Sequence, residues 1–169
     1  MIRTCRAGFT LLEIVVVLVI LSAVVGLVVP RLPSMREAGL RASARQTAAL
    51  LRYLDERAVA TKQSYRLRID LDQQRIDVAL RSASGADLPV DDPYLQRNPL
   101  AEGTQVSDLT TERLGRVTSG QVLVSYGPGG LTEPLLLHLS LPGGKAYTVQ
   151  ALPISSTVRV FEGYREGLP

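Results

Sequence analysis

The sequence predicts an α+β chain in which a long N-terminal helical region is followed by a β-rich C-terminal domain. Three observations carry this. Residues 9–29 form an apolar run whose single charge is Glu13. Residues 35–62 then place apolar side chains at three- and four-residue steps, the helical period. From Tyr65 onward, short runs alternate apolar with polar residues and are separated by Gly- and Pro-containing turns, which is the period of strands.

The first run sets the organisation. A helix over residues 9–29 reaches roughly 31 Å, about the thickness of a bilayer's hydrocarbon core. In front of it, Met1 to Gly8 carry Arg3 and Arg6 and no acid. Basic flanks stay in the cytoplasm, so the expected orientation is N-terminus inside and the rest of the chain outside. Glu13 is the anomaly. A carboxylate within a membrane helix costs about 2.5–3.5 kcal/mol on insertion scales, so such a residue normally has a partner and a task.

Arg6-Ala7-Gly8-Phe9-Thr10-Leu11-Leu12-Glu13 resembles the N-terminus of type IV prepilins and pseudopilins. It has a short basic leader ending in glycine, then phenylalanine, then an acid at the fifth position counted from it. The resemblance implies a pilin-like fold, with a long helix whose second half packs on the β-rich domain. It also implies cleavage by a prepilin peptidase between Gly8 and Phe9, N-methylation of Phe9, and pairing of Glu13 with the free amine of a neighbouring subunit. Glycine leaves the scissile bond unobstructed, and a low dielectric strengthens a carboxylate–ammonium pair. A secretory signal peptide fits less well: its apolar core is shorter and is followed by a small-x-small site. A lipoprotein signal needs its cysteine after the apolar core, and Cys5 lies before it.

The expected domains are a leader at 1–8, a transmembrane helix at 9–29, a kink and amphipathic helix at 30–62, and a periplasmic β-rich domain at 63–169. The formal charge is +3, from 19 basic and 16 acidic side chains. Without Arg3 and Arg6 the balance falls to 17 against 16, so the basic balance belongs partly to the leader and points only weakly to nucleic acid. The single cysteine lies in the leader, so the mature chain would hold together without disulfides. With no mature cysteine and one histidine, a transition-metal site is not expected.

Pro30 and Pro33 directly follow the apolar run, and the resemblance, to a family with a proline near this point of an otherwise continuous helix, implies a kink at Pro30 or a locally melted turn around Pro30 to Ser34. Met35 to about Lys62 is amphipathic, with Leu40, Ala44, Thr47, Leu51, Leu54 and Ala58 on one face. That stripe predicts packing on a sheet; a groove in a partner is the alternative. Tyr65, Leu67 and Ile69 alternate with charged residues, as do Ile76, Val78 and Leu80, predicting a hairpin turned at Asp72-Gln73-Gln74. Residues 81–103, with three prolines and the Asp91-Asp92 pair, are expected to form a long surface loop. Adjacent acids point apart more often than together, so neither a catalytic dyad nor a calcium site follows. A short strand at 104–109 and a polar connection at 110–120 precede strands at 121–126, 134–141, 146–152 and 157–161.

Two strings faintly resemble phosphate loops. Gly127-x-Gly129 is followed by Thr132 where a third glycine would stand. Gly143-Gly144-Lys145 has Leu139 at the first glycine position and Ala146 after the lysine. Both are expected to be turns. His138 is alone, without a serine or cysteine nucleophile near it in sequence, so a triad has no support. No catalytic residue, cofactor or small-molecule substrate is expected.

Within the pilin-like family, the major pseudopilin has a tryptophan-containing calcium loop. This chain has no tryptophan, and Asp92-Pro93-Tyr94 matches that segment poorly. The tip-capping minor pseudopilin is longer and usually lacks the helix acid that Glu13 supplies. The hairpin after the helix, Tyr126-Gly127-Pro128-Gly129-Gly130, and the final Thr157-Val158-Arg159-Val160 resemble the H-type minor pseudopilins of type II secretion systems, although Val158 stands where they have glycine. The partners so implied are the prepilin peptidase, other major and minor pseudopilins, and inner-membrane lipid. The alternative is a minor pilin of a type IV pilus or competence filament that binds DNA through Arg113, Arg116, Arg159 and Arg165. Glu112, Glu162 and Glu166 beside them argue against a phosphate-binding patch.

Overall fold

The computed structural model describes residues 11–28, 35–153 and 157–167. It divides into two compact units, Met1–Ser34 and Met35–Pro169. The first contains α1 (Leu11–Val28). The second contains α2 (Met35–Thr61) and the strands β1 (Ser64–Asp70), β2 (Arg75–Arg81), β3 (Asp87–Pro89), β4 (Gln105–Thr111), β5 (Gly115–Val117), β6 (Gln121–Gly127), β7 (Gly130–Leu131), β8 (Leu135–Ser140), β9 (Ala146–Leu152) and β10 (Thr157–Glu162).

Helix α2 buries the stripe read from its sequence. Leu40, Ala44, Leu51, Leu54 and Ala58 are buried, along with Thr47. Each fully buried leucine stabilises by about 1.5–3 kcal/mol, so these contacts outweigh helix propensity in fixing α2. Glu37 in the first turn complements the helix dipole. At the other end Lys62 takes a left-handed conformation (φ 55°), the cap position that glycine commonly fills.

The strands form two antiparallel five-stranded sheets, ordered β3-β2-β1-β6-β7 and β10-β9-β8-β4-β5. In the first, Tyr65, Leu67 and Ile69 lie between Leu80, Val78 and Ile76 on one side and Tyr126, Val124 and Val122 on the other. These rows face one way, and Arg66 and Arg68 stand on the opposite face. In the second, Leu137 lies between Leu109 and Val149, and Leu139 between Val106 and Tyr147. Helix α2 packs on both sheets, and one apolar core joins all three layers.

Some expectations are refined. The 81–103 segment holds β3, an edge strand paired with β2 through Arg81↔Asp87 and Ala79↔Pro89. Proline is tolerated there because the outer edge needs no donor. The 110–120 connection holds β5, paired with the end of β4. Both glycine-rich strings form turns between strands, Pro128-Gly129 between β6 and β7, and 142–145 between β8 and β9. The hairpin turn is pinned by Gln74 (φ 53°). Its Nε2 donates to Val106 O at 3.2 Å, and its Oε1 accepts the Val106 N–H. One side chain thereby joins the β1–β2 turn of the first sheet to β4 of the second.

Candidate assembly segment and structural nodes

Helix α1 is apolar on every side. Its described side chains are all exposed, from Leu11 at 83% to Val17 at 44%. A helix hydrophobic all round belongs in a protein core or a membrane, because water solvates none of its faces favourably. Its polar side chains sit in positions compatible with such surroundings. Ser22 Oγ donates to Leu18 O at 2.7 Å, satisfying the hydroxyl within the helix. Glu13 lies in the first turn, where the helix dipole favours negative charge. Among the described residues, no helix is long and apolar enough to cross a membrane. The apolar run of the sequence, 9–29, extends past both ends of α1. Gly8 and Phe9 of the cleavage motif, the leader at 1–8, and Pro30 of the expected kink lie outside the described residues.

The second unit contains three polar nodes that sequence reasoning missed. The first is Asp108, whose side chain is 2% exposed. Its Oδ1 lies 2.8 Å from His138 Nδ1 and accepts the Tyr164 hydroxyl at 3.1 Å, while Oδ2 pairs with Arg116 at 3.3 Å. Nε2 of His138 lies 2.8 Å from Arg165 O, and the Tyr164 ring stacks on the imidazole at 3.9 Å. Both ring nitrogens of His138 thus face acceptors. Neither is available to take a proton from a nucleophile, so the His–Asp pair lacks the geometry of a catalytic base. It fastens the C-terminal tail over the face of β8 opposite the core, where Tyr164 and Arg165 cover His138. Burial, followed by the hydrogen bond to Asp108, raises the Tyr164 phenol above its ordinary pKa. A bulge between Val106 and Asp108 makes this possible: it shifts the phase of β4, so Val106 and Leu109 both face the core while Asp108 faces out.

The second node ties the 81–103 segment to α2. The Tyr53 hydroxyl donates to Asp92 Oδ2 at 2.6 Å, and Arg57 reaches the same oxygen at 3.1 Å. Tyr94 N–H donates to Asp92 Oδ1, and its ring meets Tyr53 edge-on at 5.0 Å. The Tyr53 bond, then the Tyr94 N–H, hold the Asp92 carboxyl below the usual carboxylate range. Asp91 is exposed while Asp92 is buried, so the adjacent acids do point apart. Among the described residues no cluster suits a metal ion.

The third node explains the Tyr126-to-Gly130 string. Asp55 of α2, 5% exposed, accepts the Leu131 N–H at 2.7 Å. Gly130, with φ +96°, passes so close that an added Cβ would lie 2.5 Å from Asp55 Oδ1. The nearby Tyr126 hydroxyl is buried without a hydrogen bond among the described residues, and burial pushes its pKa well above the ordinary value. Of the arginines considered for DNA, Arg113 pairs with Glu133, Arg116 with Asp108, and Arg165 stacks over Phe161 at 4.1 Å.

Comparison with known proteins supplies the context. Residues 3–29 match the model described as the prokaryotic N-terminal methylation motif. Over 104 residues the chain is 33% identical to type II secretion system protein H of Vibrio cholerae serotype O1, covering 61% of this chain. The match spans about half of that relative's length, 54%. Two solved structures of the minor pseudopilin EpsH from the Vibrio cholerae type 2 secretion system share the fold. One aligns with a TM-score of 0.57 at 23% identity over 73% of this chain and 97% of its own. The other aligns with a TM-score of 0.61 at 19% identity over 77% and 98%. The chain thus carries the prokaryotic N-terminal methylation motif, has the α+β fold of the minor pseudopilins, and is similar to type II secretion system protein H.

Proposed function

We propose that the chain is a minor pseudopilin, a structural subunit of a type II secretion pseudopilus that serves protein export across the outer membrane. The observation that carries this is α1, an all-round apolar helix with one acid in its first turn, directly behind Gly8-Phe9. In this reading the chain is a single-pass inner-membrane protein through residues 9–29, N-terminus in the cytoplasm and β domain in the periplasm. Prepilin peptidase hydrolyses the Gly8–Phe9 bond, releasing 1–8, and the new Phe9 amine is methylated. Glu13 pairs with the amine of an adjacent subunit, which sets the register of assembly as a buried polar group can in a coiled coil. The apolar surface of residues 9–29 exchanges lipid for neighbouring helices, so assembly need not expose it to water. The role is structural: the His138–Asp108 pair spends its hydrogen bonds on the tail and acts on no substrate.

The test is the intact mass of the protein from membranes of cells with and without prepilin peptidase. Loss of Met1 to Gly8 together with gain of one methyl group, only when the peptidase is present, supports the reading. An unprocessed chain in both strains refutes it.

A further inference from the structure

The exposed face of α2 carries more basic than acidic side chains. Arg36, Arg41, Arg45 and Arg52 are all exposed, against Glu37, paired with Lys145 at 2.7 Å, and Glu56, exposed one turn beyond Arg52. Arg52 reaches back to Val158 O. Arg36, Arg41 and Arg45 have no hydrogen-bond or ion-pair partner among the described residues. At the helical repeat, positions 41, 45 and 52 fall within about 40° of one another and extend over about 17 Å of the axis. This is a basic stripe on a chain whose total charge is close to balanced. The first sheet treats its cations differently: Arg66 and Arg68 share Asp87, and Arg75 pairs with Asp77.

We infer that this stripe is the docking surface for an acidic helix of a neighbouring pilin-like subunit, one with carboxylates on a single face at matching spacing. The inference rests on the proposed pseudopilin role and adds the partner's chemistry to it. Charge complementarity is the first argument: uncompensated guanidiniums in a row attract carboxylates in a row, and such pairing sets register and suppresses wrong partners. The second is shape. The positions that flank this stripe on its solvent side are small, Ala38, Ala42 and Ala49. Small residues let a second helix approach closely. The same face lacks the Trp, Phe or Leu side chains by which an interfacial helix enters a lipid boundary, which favours a protein partner over a membrane surface.

The test places a photo-crosslinking residue at Ala49 in the full chain, in cells that express its secretion system and prepilin peptidase, and reads adducts by mass spectrometry. The expected adduct is a helix of another pilin-like subunit with several acids on one face. Reversal at two sites, Arg41→Glu with Arg45→Glu, should cut its yield about tenfold, since two modest attractions become repulsions. Lysines in place of the partner's facing acids should restore it. Adducts that ignore the reversal, that reach only lipid, or that reach a helix without acids overturn the inference, as does the absence of any adduct. The N-terminal mass is read on the same samples. A processed and methylated chain with an unaffected adduct sinks the stripe alone, whereas an unprocessed chain sinks the pseudopilin reading.

Discussion

Gly130→Ala is the sharpest test of how the β6–β7 corner is built. Two costs add. An L-residue at φ +96° is strained by about 1–2 kcal/mol relative to glycine. The new Cβ, 2.5 Å from Asp55 Oδ1 and 3.1 Å from Cγ, also forces the carboxylate off the Leu131 N–H. A hydrogen bond to a charged group is worth about 1.5–3 kcal/mol, and here the displaced acid is buried. Together the loss is about 3–5 kcal/mol, or a drop of roughly 10–20 °C in Tm for a domain of this size. Tyrosine fluorescence of the full chain in detergent follows the right unit, because all six tyrosines lie beyond residue 34 and there is no tryptophan. Gly129→Ala is the control, since nothing lies within 4 Å of its added Cβ. Asp55→Ala combined with Gly130→Ala should cost less than the sum, because the first change removes what the second collides with. A Gly130→Ala protein within about 4 °C of wild type, or a Gly129→Ala protein equally impaired, would refute the reasoning.

Other outcomes follow from the remaining nodes and the N-terminal motif. Asp92 has a depressed pKa in the folded chain, so its contribution is present above its ordinary value near 3.8 and is lost as pH falls through the lower folded value. The Tm gap between wild type and Asp92→Asn should therefore be full at neutral pH and narrow as the pH falls below 3.8, and a gap independent of pH would contradict this. His138→Leu leaves Asp108 with Arg116 and Tyr164 only and should cost about 2–3 kcal/mol. Hydrogen exchange should rise at residues 163–167 before it rises in α2; uniform change would argue against the tail being fastened there. Gly8→Ala should slow leader removal, measured as the fraction of unprocessed chain in membranes. Glu13→Ala should still be processed but co-purify poorly with other pseudopilins, and normal co-purification would count against its pairing role.

Much of the fold was legible because it is periodic. The α2 stripe, the alternation of β1 and β2 and the two glycine-rich turns each rest on contacts between near neighbours in sequence. The edge strands β3, β5 and β7 were not legible, since two or three residues carry no period. The nodes were hidden for a different reason. Asp55 meets Leu131 76 positions away, through a carboxylate on a backbone amide, a pairing that leaves no trace in hydropathy. Asp108 reads as a polar residue in a short strand until the bulge at 107 changes the face it presents. His138, one polar residue within Leu135–Leu139, was the available signal: a ring so placed needs partners, and they come from β4 and the tail. Of the motif string, Leu11, Leu12 and Glu13 fall within the described structure.

The Gln74 bridge has a consequence for how this domain tolerates change in length. Its amide offers donor and acceptor to the same residue, Val106, so it works only if the β1–β2 turn presents it at one depth. Asparagine is a methylene too short, glutamate lacks the donor, and one inserted residue would turn the amide away. Segment 81–103 is fastened at Asp92 and at Ala101, whose N–H donates to Ser43 Oγ, and can lengthen between or beyond those points. Among relatives, insertions should accumulate there and be purged from residues 71–74, so a turn on the surface of the domain is as little free to vary as its core.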